Sequence, residues 1–81
     1  MKLDKTVDMM VSEDYTERFK AEYHQLIYRK NKLQKMLREY AKNQLNFTPK
    51  CSIDLLTWQL KTMQEYEYVL KRRAEIEDID L

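Results

Sequence analysis

The sequence predicts an all-α fold: an antiparallel two-helix hairpin with a short N-terminal helix, assembled as a homo-oligomer. Three observations predict it. The 81 residues contain no Gly and one Pro, so two long stretches run free of the residues that end helices. Apolar residues in both stretches recur at alternating intervals of three and four, the spacing that lines one helix face. More apolar residues remain off those faces than one hairpin can cover, and a chain this small is marginal even with a full core. Residues 1–81 are read as a single helical domain.

The short helix is placed at residues 3–10, where Leu3, Val7 and Met10 are spaced four and three apart. It is expected to pack on a neighbouring subunit. Ser12 is the expected N-cap of the first long helix, residues 13–43, with Glu13 and Asp14 where the helix dipole favours anions. Its seam is Phe19, Tyr23, Leu26, Lys30, Leu33, Leu37 and Tyr40. Asn43, Asn46, Thr48 and Pro49 mark a break, since Pro disfavours helix at the residue before it. Leu45 and Phe47 inside the break are expected to plug the end of the hairpin. Ser52, or Cys51 before it, caps the second long helix, residues 52–78, with Asp54 in its first turn. The second seam is Ile53, Leu56, Leu60, Met63, Glu67, Leu70 and Ala74. A short connection makes consecutive helices opposed neighbours, so the two seams should face each other. Ile27, Tyr28 and Met36 are left over on the first helix, and Leu55, Trp58, Tyr66, Val69 and Ile76 on the second.

Composition removes whole classes of function. Without Gly, neither a Walker A loop nor a dinucleotide fingerprint can be written. One Cys cannot form an internal disulfide or a thiolate zinc cluster. No apolar run exceeds three residues, far short of the roughly twenty that span a membrane. The N-terminus lacks an apolar stretch long enough for a signal peptide, so a cytosolic location is expected. His24 stands without a second imidazole, and Cys51 has no His placed as its base. No catalytic set, metal or cofactor is expected, and the chain is read as not an enzyme.

Charge is unevenly spread. Residues 1–14 carry two basic and four acidic side chains, residues 15–50 nine and three, and residues 51–81 four and seven. The basic middle either answers the acidic ends within the assembly or meets an anion. Opposed helices would bring Arg29 and Lys30 toward Arg72 and Arg73, and either Glu22, Glu67 and Glu75 or a bound anion must then neutralise them. Tyr and Arg also offer stacking planes for nucleobases. Lys30, inside an apolar seam, either pairs with Glu67 to set register or reaches a phosphate. Extended DNA or RNA is not expected, because no domain-wide basic excess or reader motif is present.

Three segments carry a resemblance: SEDYTERFKAEY at 12–23, LNFTPKCSIDLL at 45–56 and YVLKRRAEIEDIDL at 68–81. Together they resemble a group of small proteins of crAss-like phages, most specifically in the FTP-x-C linker and the RAEIE tail. The helical-hairpin group is similar to the phage anti-CBASS sponges, which counter a bacterial immune system that signals with cyclic oligonucleotides. The resemblance implies a homo-oligomer, with a hexamer favoured, that sequesters cyclic dinucleotides or trinucleotides without degrading them in the cytoplasm of an infected bacterium. It implies a dinucleotide pocket with Tyr15 (or Tyr23) and Lys30, and a trinucleotide pocket with Arg72 (or Arg73). Arg18 and Arg29 complete the candidate ligand-binding set. The rival reading is a helical adaptor that binds a host or phage protein through the apolar face around Trp58 and Val69.

Overall fold

The computed structural model describes residues 3–81, and these form three helices: α1 Leu3–Met10, α2 Tyr15–Ala41 and α3 Ile53–Glu77. No strand occurs among the described residues, and none of their helices is long and apolar enough to cross a membrane.

Local chemistry explains each helix end. α2 starts two residues later than residue 13 because Asp14, not Ser12, is its N-cap: the Asp14 carboxylate accepts from the Thr16 N–H at 2.9 Å. A carboxylate there answers both an unpaired N–H and the helix dipole. The Ser12 hydroxyl sits one step upstream and accepts from the Asp14 N–H at 3.1 Å. Ser52 caps α3, accepting from the Leu55 N–H at 3.1 Å, while Cys51 is exposed. Both long helices end in a left-handed residue, Asn43 at φ 56° and Asp78 at φ 57°. At each end the next N–H reaches back five residues, Gln44 to Glu39 O and Ile79 to Ala74 O, both at 2.8 Å. This wrap satisfies carbonyls the helix leaves open.

α1 packs on α2 of its own chain. Thr6, fully buried, donates to Leu3 O at 2.6 Å and accepts from Gln25 Nε2 at 2.9 Å. The same Gln25 amide contacts the Met10 sulfur.

α2 and α3 pack with the first half of one against the second half of the other. Glu22 meets Tyr66, Lys30 meets Glu67, and Tyr15 meets Arg73 and Glu77. The core lies between these halves: Phe19, Leu26, Leu70 and Ala74, with Tyr23, Met63 and Ile79 packed against it. The seven seam positions of α3 are the seven residues of that helix that are not exposed. The far end is looser. Leu45 is half-buried, but Phe47 is 55% exposed and does not close the end as expected.

Candidate functional site

The candidate residues fall into separate groups, and the helix register decides which meet. Ala41 and Ile53 end and begin the long helices. Opposed packing from those points sets Arg73 near the start of α2 and Lys30 near Glu67. Arg29 and Lys30 therefore do not converge with Arg72 and Arg73, as the charge pattern alone suggested.

The first group joins the start of α2 to the end of α3. The Tyr15 hydroxyl donates to Glu77 Oε1 at 2.7 Å and accepts from Arg73 Nη2 at 2.8 Å. Arg73 Nε lies 3.3 Å from Glu77 Oε2. The Arg73 guanidinium lies 5.0 Å from the Phe19 ring centroid, and the Tyr15 and Phe19 centroids are 6.2 Å apart. Phe19 is buried in the core, so it gives the guanidinium a fixed apolar platform. Glu77 holds the Tyr15 proton and raises its pKa above the usual phenol value. The result is a solvent-accessible guanidinium and phenol with one carboxylate already on both.

The second group is ionic. Lys30 Nζ reaches Glu67 Oε1 at 2.6 Å and Lys71 Nζ reaches Glu67 Oε2 at 2.9 Å. The Lys30 and Glu67 side chains are each only 15% exposed. The hydrogen bond from Lys30, then that from Lys71, holds the Glu67 carboxyl below its usual range. Two ammoniums share one carboxylate, so the group keeps a positive charge. Lys71 also lies on the rim of a shallow cleft with Gln64, Glu67 and Tyr68.

The remaining candidates are elsewhere. Arg18 donates to Ser12 O at 2.8 Å and ties α2 to the turn after α1. Tyr23 packs on the core and stacks edge-on with His24, their centroids 5.4 Å apart. Burial lowers the His24 pKa, with the Lys20 charge adding to it. Arg29 is exposed on the rim of a groove of about 300 Å³ with Glu22, Met63 and Tyr66. Arg72 turns to solvent and pairs with Glu75 at 2.6 Å.

Sequence reasoning did not single out Phe19, Glu77 or Lys71 as parts of these groups. Glu77 and Lys71 each stand four residues from a partner, Arg73 and Glu67, a helix spacing that places side chains together. The spacing of Phe19 makes it a seam residue, which it is; its second role as a platform needs the cross-helix neighbour. Among the described residues no group of three or more His, Cys, Asp or Glu could hold a metal ion.

A protein-family model described as Sequestin matches residues 13–76, from the approach to α2 almost to the end of α3. It takes in Tyr15, Lys30 and Arg73 and leaves out α1 and Glu77. No curated protein and no solved structure matches the chain.

Proposed function

The chain belongs to the Sequestin family, and from that membership we propose that it is a phage counter-defence sponge that sequesters cyclic di- or trinucleotides without cleaving them. The family's name denotes sequestering, and the resemblance of the three sequence segments to anti-CBASS sponges supplies the ligand class. The working unit is an antiparallel α2–α3 hairpin, repeated in a cytoplasmic homo-oligomer with a hexamer favoured.

The observation that carries the reading is the Tyr15–Phe19–Arg73 group. A cyclic nucleotide presents phosphates and flat bases. A guanidinium offers both a forked donor for the phosphate and a plane for the base. Here Phe19 and Tyr15 hold it in place beforehand, which lowers the ordering cost of binding. Glu77 occupies the donors in the free protein, and an incoming phosphate replaces it. Lys30 and Lys71 supply a second cationic point deeper along the hairpin. Sequestration needs tight, stoichiometric binding and no general base or nucleophile.

The adaptor reading has one observation in its favour: Leu55, Trp58, Tyr66 and Val69 are exposed on α3. It predicts a protein partner and no nucleotide binding.

The test is isothermal titration of the purified protein against a panel of cyclic di- and trinucleotides, with the ligand recovered after denaturation. Tight binding with intact ligand is expected. Arg73→Ala should weaken it at least about tenfold, the cost of a charge-assisted contact, and more than Arg72→Ala does. Absence of heat across the panel overturns the reading, and recovery of a linearised product makes the protein an enzyme instead.

A further inference from the structure

We propose that the outer face of α3 is a twofold self-association surface, where α3 of a second copy lies antiparallel across Thr62. The inference rests on the homo-oligomer of the proposed function but not on its ligand.

Leu55, Trp58, Tyr66 and Val69 are 50%, 69%, 40% and 48% exposed, and with exposed Thr62 they form one stripe beside the α2-facing seam, with Tyr66 at its inner edge donating to Glu22 of α2. Their spacing about Thr62 is three, four, four and three. The stripe therefore reads the same in both directions along the helix. A twofold axis at Thr62 sets Trp58 of one copy level with Tyr66 of the other, and Leu55 level with Val69. At 100° per residue, Trp58 and Tyr66 lean to opposite sides of the stripe, so facing side chains interleave instead of colliding. Self-complementarity of this kind is what an isologous interface requires.

Charge agrees with the same axis. Lys61 and Glu65 are exposed, lie on one side of the stripe, and take no part in the ion pairs of the described residues. The twofold brings Lys61 of each copy beside Glu65 of the other, giving two cross-pairs. A groove of about 360 Å³ lined by Leu55, Trp58, Gln59, Thr62, Met63 and Tyr66 runs along the stripe, with room for a large side chain of the second copy. The chain exposes 6314 Å², where a monomer of its 10.0 kDa mass exposes about 5,200 Å², so the elongated molecule as a whole has surface left over for contacts between copies.

The test is sedimentation equilibrium without nucleotide, combined with cysteine cross-linking. In a Cys51→Ser background, Thr62→Cys should form a disulfide-linked dimer under mild oxidation, while Thr57→Cys, on another face of α3, should not. Trp58→Glu should lower the mass of the assembly while circular dichroism retains the helix content. A monomeric wild-type mass overturns both the interface and the homo-oligomer. An oligomeric wild type with no preferential Thr62→Cys cross-link, or with a Trp58→Glu variant of unchanged mass, overturns the interface alone. Nucleotide binding is read separately and bears on neither result.

Discussion

Lys30 and Glu67 are the two polar residues in otherwise apolar seams, and each is only 15% exposed. Burying either alone would leave an uncompensated charge, while together they cost less and fix which residues face each other. Lys71 on the second oxygen completes the carboxylate. The Glu67 carboxyl titrates lower in the folded chain than in the unfolded one, first through Lys30. Its contribution is therefore complete above the unfolded carboxylate value and disappears as pH falls through the folded one. Thermal melts from neutral to acid pH should show a steeper loss of stability in the wild type than in Glu67→Gln. Equal acid slopes would remove Glu67 as the source. Lys30→Met should cost about 1–2 kcal/mol. The double variant Lys30→Met with Glu67→Met should recover most of that loss, a coupling a double-mutant cycle measures directly.

At the scale of the element, a chain without glycine must still end two long helices. It does so with Asn43 and Asp78 in the left-handed region, where a side chain is disfavoured and Asn or Asp is best tolerated. Asp78 carries a second penalty. It lies at the negative end of α3, whose last turn contains no basic residue. Asp78→Gly should therefore stabilise the chain by about 1 kcal/mol, more than Asn43→Gly, which relieves backbone strain alone. At the other end, Asp14→Ala should cost about 1 kcal/mol through loss of the α2 cap. Urea midpoints at constant m-value rank all three. The two glycine variants should gain equally if strain alone sets the effect.

For the whole molecule, the fully enclosed core is small and lies at one end. Leu70 is 0% exposed and Phe19 3%, whereas Leu33, Leu37, Leu56 and Leu60 are only half-buried. The radius of gyration is 15.0 Å, against about 12 Å for a rounded domain of this length. An elongated chain with one small core has little stability to spare. Leu70→Ala should cost about 2–4 kcal/mol, enough to unfold much of the protein at room temperature when dilute. For the homo-oligomer we propose, the melting temperature should rise with protein concentration, because association stabilises the folded chain by mass action. A concentration-independent melt would mean that the hairpin stands alone.

The helices, the α3 seam, the α2 seam as far as Leu37 and the surplus apolar face of α3 were legible in the sequence, because helix periodicity is local and leaves a fixed mark every three or four residues; Tyr40, at the end of the expected α2 seam, is exposed. Lys30 and Glu67 stood out for the same reason, as breaks in that pattern. The fine choice between Ser12 and Asp14 as cap was not legible, since both residues can accept an N–H and only the path of the turn selects one. Nor was the grouping of the cations. Tyr15 meets Arg73 and not Lys30, and Arg73 rests on Phe19, because the length of the 42–52 connection sets how far one helix slides along the other. Which residues line each helix face follows from local spacing. Which faces meet, and at what level, follows from the packing, because side-chain pairing across helices depends on a register that no local pattern encodes.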